Sequence, residues 1–140
     1  MNPYMEELVL DPSGKGLFEF THDLVEVVER SGITTGLATV FLCHTSASLV
    51  IQENADPSAR RDLESVLDRL VPENDPIYTH TAEGSDDMPA HIKAALTHTS
   101  EQIPISGGRL VLGTWQGIYL WEHRRFPGKR RLVIHIGGCR

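Results

Sequence analysis

The chain has 140 residues, 40% apolar and 23% charged, a length and balance that fit one domain around one core. Its 13 Lys and Arg against 19 Asp and Glu give a net charge of -6, which argues against a whole-surface grip on nucleic acid. The apolar runs fall far short of the ~20 residues that cross a bilayer, and no secretory leader is visible at Met1–Glu7, so a cytoplasmic location away from any membrane is expected.

In chain order, residues 4–10 and 16–20 predict two short strands around Asp11-Pro12-Ser13-Gly14, a spacing that suggests an opening hairpin. Thr21 is placed to cap a helix over 22–30, where Leu24, Val27 and Val28 recur at helical spacing and Gly32 supplies the stop. Residues 36–43 and 48–52 are rich in apolar and β-branched types and predict sheet. Asp56-Pro57 then opens the clearest helix, a carboxylate cap with proline at the first helical position. Leu63, Val66, Leu67 and Leu70 form its apolar stripe, and Pro72 ends it.

Residues 72–88 carry Glu83, Asp86 and Asp87 with little periodicity, a long loop that needs a reason to be ordered. A short helix is expected over 89–97 with Ile92, Ala95 and Leu96 as its buried stripe. Strands follow at 103–105, 109–114, 117–123 and 131–136, the last two as a hairpin whose Pro127-Gly128 suits a type II turn. Strands at both ends with helices between them predict a single α+β domain, largely antiparallel, with about three helices. Cys43 and Cys139 are too few for a disulfide framework and are expected as reduced thiols.

Seven histidines are many for this length. His80, Glu83, Asp87 and His91 fall within twelve residues, and neutral imidazoles with carboxylates are ligands that zinc and other divalent first-row metals prefer. The spacing matches no standard metal motif, so a solvated acidic loop stands beside that reading. His44 ends an apolar run next to Thr45-Ser46 and reads either as a ligand or as a core imidazole bonded to backbone. His98 lies about 10.5 Å along the helix from His91 and is left out of the ligand set.

Gly113-Thr114-Trp115-Gln116-Gly117 breaks an apolar strand region, which marks either a pocket wall or a bend with Trp115 in the core. Arg124, Arg125, Lys129, Arg130 and Arg131 gather around one turn, an attraction for phosphate. A solvated hairpin, or one paired with acidic residues of a neighbouring subunit, fits them better than a nucleic-acid site, since Phe126 alone offers stacking. No nucleophile elbow and no P-loop is present.

Four segments in order carry a resemblance: His44-Thr45-Ser46-Ala47-Ser48-Leu49, Gln52-Glu53-Asn54-Ala55-Asp56-Pro57, the run from His80-Thr81-Ala82-Glu83 to Met88-Pro89-Ala90-His91-Ile92-Lys93, and Gly113-Thr114-Trp115-Gln116-Gly117-Ile118. Together they resemble the signatures of the YjbQ family, some of whose members are described as secondary thiamine-phosphate synthases. The resemblance implies a homotrimer of compact α+β subunits with the histidine and acidic motifs near subunit boundaries. Matched position by position, it implies His44, His80 and His91 as metal-holding imidazoles and Glu53, Asn54, Thr114 and Gln116 as substrate-binding groups. Asp87 and Glu83 would orient or act as general base. The chain departs from the family pattern at Thr97-His98 and at Trp121, where a smaller residue is usual.

The expected function is that of a metal-assisted enzyme acting on a small phosphorylated molecule. With thiamine-phosphate synthase chemistry it would join a pyrimidine pyrophosphate to a thiazole phosphate. Zinc is the first expectation for the metal, with magnesium fitting a pyrophosphate substrate. The alternatives are a non-catalytic trimer that binds a metal or metabolite, and a structural protein whose histidines are buried polar groups.

Overall fold

The computed structural model describes residues 3–140. In chain order the elements are β1 (Tyr4–Leu10), β2 (Gly16–Glu19), α1 (Thr21–Ser31), β3 (Thr35–Leu42), β4 (Ala47–Glu53), α2 (Pro57–Leu70), α3 (Asp87–Leu96), β5 (Ser100–Ser106), β6 (Arg109–Leu110), β7 (Gln116–Glu122) and β8 (Arg130–Cys139). They form a five-stranded sheet of order β1-β8-β3-β5-β6 and a three-stranded sheet of order β2-β7-β4. Every pairing is antiparallel, and the α+β class with three helices is as expected.

Neither expected terminal hairpin forms. β1 pairs with β8 and β2 with β7, so the chain changes sheet between residues 10 and 16 and again between 122 and 130. Turn chemistry marks where a chain reverses; it does not say which strand lies beside it. Gly128 has no positive φ, so the type II turn is also absent. Of residues 109–114 only Arg109–Leu110 joins a ladder.

Alternation in the strands builds one core between the sheets. Ala38, Val40 and Leu42 of β3 and Leu132, Ile134 and Ile136 of β8 face Leu49 of β4 and Ile118 and Leu120 of β7, with Leu24, Val27 and Val28 of α1 closing one side. Burying side chains of this size contributes about 2 kcal/mol each before chain entropy is counted. Gly32, at φ 69°, ends α1 as expected. Thr21 does not cap that helix; its hydroxyl donates to Glu19 and accepts from the Ile118 N–H, tying α1 to β7.

The opposite face of the three-stranded sheet presents Leu17, Tyr119 and Trp121 to Leu67 and Val71 beyond it. Asp56 caps α2 through the Ser58 N–H, with Pro57 first in the helix, as its sequence predicts. Only Leu67 of the expected stripe is fully buried, while Val66 and Leu70 are exposed, because a three-stranded sheet is too narrow to cover a broad stripe. α3 starts at Asp87, two residues ahead of Pro89, and turns Ala90, Lys93 and Ala94 inward in place of Ala95 and Leu96. No helix among the described residues is long and apolar enough to cross a membrane.

β7 ends in buried polar groups. Glu122, fully buried, receives Arg130 Nε at 2.6 Å and Nη2 at 2.5 Å, and Arg130 also donates to the Ser46 hydroxyl. The start of β8 in one sheet is thereby tied to the end of β7 in the other. Next along, Arg124 and Arg125 reach across to the 72–86 loop. Arg125 pairs with Glu73, donates to the Ser85 hydroxyl, and gives its backbone N–H to Asp86. Arg124, Arg125, Arg130 and Arg131 thus pair with acidic groups of their own chain, and the first two order the loop. Removing Arg125 (Arg125→Ala) should speed amide hydrogen exchange across residues 73–86 while changing global stability by no more than about 1 kcal/mol, because the pair is partly exposed. Unchanged exchange there would contradict the anchoring.

His123, 1% exposed, shares a 2.8 Å hydrogen bond between Nε2 and the Ser48 hydroxyl. Burial chiefly, then Lys93, Lys15 and Arg130, holds its imidazole down to about 3, against the opposing pull of Asp68. The unfolded chain takes up a proton near pH 6.5 that the folded one refuses, so stability falls as pH drops through that window by up to about 1.4 kcal/mol per pH unit. His44, lowered by burial and then by Arg130, adds in the same sense. In urea unfolding between about pH 6.5 and 4.5, His123→Gln should flatten this slope markedly; a slope equal to the parent's would contradict a neutral buried imidazole.

Candidate functional site

The first turn of α3 is where the loop residues converge. Asp87 and His91, one helical turn apart, share a face, and the loop brings His80 onto them. His80 Nε2 lies 2.7 Å and His91 Nε2 3.1 Å from Asp87 Oδ2, with ring centroids 5.4 Å apart. One donor atom from each of the three residues falls within 4.8 Å of the others.

Each member is oriented by a neighbour. His91 Nδ1 is 2.9 Å from the Thr45 carbonyl, which only accepts, so Nδ1 carries the proton and Nε2 faces Asp87. Arg124 pairs with Asp87 Oδ1 and donates to the Glu83 carbonyl at 3.0 Å. Burial would push the Asp87 carboxyl up, but His80, His91 and Arg124 outweigh it and hold the group below the usual carboxylate range. A cavity of about 350 Å³ opens beside the group, lined among others by Tyr78, His80, Ser85 and Met88.

The donor set suits a divalent metal. Two imidazole nitrogens and a carboxylate oxygen gather within reach of one point, and two His with one carboxylate is a set that first-row transition metals accept, although N–H donation from the rings to Asp87 also satisfies it. His44, expected as the third imidazole, does not join it. Its Nε2 accepts the Arg131 backbone N–H at 2.7 Å, so the neutral ring carries its proton on Nδ1 and has no free lone pair; Asp87 takes the third place. The Glu83 side chain is exposed and outside the group.

The other expected residues assemble elsewhere. Asn54 gives its backbone N–H to the Trp115 carbonyl and its amide to Glu19 at 3.3 Å. Gln116 accepts the Gly113 N–H, Glu53 accepts the Asp56 N–H, and Thr114 is exposed. A Cβ at Gly117 would come within 2.3 Å of Glu19 Oε2, so a side chain there would push the exposed Glu19 carboxylate aside. The β4–β7 ladder runs from Ala47↔Glu122 beside the histidines to Glu53↔Gln116 at this second group, about 20 Å at the usual strand rise. Within one chain the two groups are therefore apart.

Sequence reasoning missed Arg124 as a site residue, having read it only as part of a basic run, and missed Glu19. The glycine at 117 is the one signal that something must approach closely there.

The family described as UPF0047 protein YjbQ-like matches residues 6–139. A UPF0047 protein of Synechocystis is 55% identical over 96% of this chain and 92% of its own length. The UPF0047 protein YjbQ of Escherichia coli O157:H7 is 40% identical over 96% and 98%. Among solved structures, an uncharacterized conserved protein of the yjbq/upf0047 family from Clostridium acetobutylicum superposes with a TM-score of 0.86 at 38% identity, covering 94% of this chain and 99% of that one. A conserved hypothetical protein from Thermus thermophilus does so with a TM-score of 0.82 at 31% identity, covering 92% and 97%. With sequence and structure matched along nearly its whole length, the chain belongs to the YjbQ (UPF0047) family.

Proposed function

We propose that His80, Asp87 and His91 hold a divalent first-row metal, zinc first, in a metal-assisted enzyme acting on a small phosphorylated molecule. The observation that carries this is the locked His91 ring: with Nδ1 spent on the Thr45 carbonyl, Nε2 faces the same Asp87 oxygen as His80. When bound, a metal with an open position polarises a phosphoryl oxygen or water there. Arg124 keeps Asp87 ionised and fixed, the cavity beside His80 receives the substrate, and the exposed Glu83 carboxylate is the remaining candidate base. Thiamine-phosphate synthase-like transfer, in which the nitrogen of a thiazole phosphate bonds to the pyrimidine's methylene carbon as its C–O bond breaks and pyrophosphate leaves, is the specific activity to assay.

Protein purified without a tag should carry about one transition-metal ion per chain, and His91→Ala and Asp87→Ala should each lose most of it. Thiamine-phosphate formation should fall at least about a hundredfold in both variants and on chelation. Ion content indifferent to both substitutions overturns the metal site. Ion binding and ligand-raised melting temperature without turnover would favour the binding-protein reading.

We also propose a homotrimer. Met5, Val9, Leu37 and Phe41 lie exposed on the outer face of the five-stranded sheet, an apolar area of the kind that subunit contacts cover. A neighbouring copy is also the means of bringing Glu53, Asn54, Thr114 and Gln116 to the histidines. Light scattering should give three times the chain mass, and Phe41→Lys should lower it; a monomeric parent protein contradicts the assembly.

A further inference from the structure

Lys93 follows His91 by two residues and so projects from α3 about 200° round the helix from it. It lines a second cavity of about 220 Å³ with Lys15, Asp68, Trp121 and His123, a space the proposed metal chemistry does not use. Lys93 Nζ lies 2.5 Å and Lys15 Nζ 2.8 Å from the same atom, Asp68 Oδ1. The Lys93 side chain is 4% exposed whereas Asp68 is 48% exposed. A buried ammonium is costly unless paired, and here two ammoniums share one carboxylate that enters from a solvent-facing helix.

His123, also buried, spends Nε2 on Ser48, and its Nδ1 makes no hydrogen bond among the described residues. Glu122 is fully engaged by Arg130, and Glu64, also on the wall, accepts the Leu17 N–H. The cavity is thus lined by two cations, an uncommitted imidazole nitrogen, and the apolar Leu67 and Trp121, the last with its ring 5.6 Å from that of His123. Asp68 occupies the seat that an incoming anion would take.

We infer that this cavity binds the oxyanion group of a small molecule, a carboxylate or a phosphate monoester, which displaces Asp68 from Lys15 and Lys93. The ammoniums bind the oxyanion in charge-assisted hydrogen bonds, His123 Nδ1 is a further donor in the tautomer whose Nε2 accepts from the Ser48 hydroxyl, and Trp121 covers the ligand's body. This inference is independent of the metal site.

The chain has two tryptophans, so in a Trp115→Phe background the emission of Trp121 reports the cavity. Titration with inorganic phosphate and, separately, with acetate should give a saturable change. Asp68→Asn should tighten binding about tenfold by vacating the seat, and Lys93→Met or Lys15→Met should weaken it about tenfold. Lys15 is the more exposed lysine, so Lys15→Met keeps the test open if Lys93→Met fails to fold. Saturation by phosphate alone assigns a phosphate ester, and by acetate alone a carboxylate. No saturable change with either anion in Asp68→Asn protein overturns the inference. So does binding that both lysine variants leave intact, or that His91→Ala abolishes.

Discussion

The buried pair between Glu122 and Arg130 is the constraint on which the rest of the molecule depends. It fastens the last residue of β7 to the first of β8, and these strands are the centre of one sheet and an inner strand of the other. An unpaired charge at either position would cost several kcal/mol, so the two sheets meet there in one register. That register decides where the connecting residues 123–129 lie, and with them the two arginines that hold the 72–86 loop.

From this follows the geometry at α3. Arg124 reaches Asp87 because the strand before it is fixed, and Asp87 stays ionised between Arg124 and two imidazoles. The Thr45 carbonyl, from the segment leading into β4, sets the tautomer of His91. Four separate stretches of chain thus supply five polar groups, two of them from α3, to one small region. The one buried charge among them, Asp87, is compensated by Arg124 and by hydrogen bonds to the two rings.

The placement of elements was legible because each is written locally. Alternation marks β1 over the residues it occupies, and Asp56-Pro57 marks the start of α2. Strand partners were not legible, because alternation states which face is buried and says nothing of the neighbour: β1 and β2, adjacent in sequence, lie in different sheets. At the site, His80, Asp87 and His91 were legible as a cluster of ligand types. His44 was grouped with them by the family resemblance, and only the Arg131 N–H on its ring shows that its lone pair is spent. Arg124 was obscured by the basic residues around it, since a run of like charges does not reveal which member turns inward.

The 72–86 loop is fastened at its ends, through Glu73 on one side and residues 83–87 on the other. Between them residues 74–79 bond within the loop, the Tyr78 hydroxyl to the Pro72 carbonyl and the Ile77 N–H to Asp75, before His80 turns onto Asp87. Change in that middle stretch can therefore alter the walls of the hollow beside His80 without disturbing the group formed by His80, Asp87 and His91. A scaffold divided in this way lets the sequence of one wall drift while the polar groups it faces stay where they are.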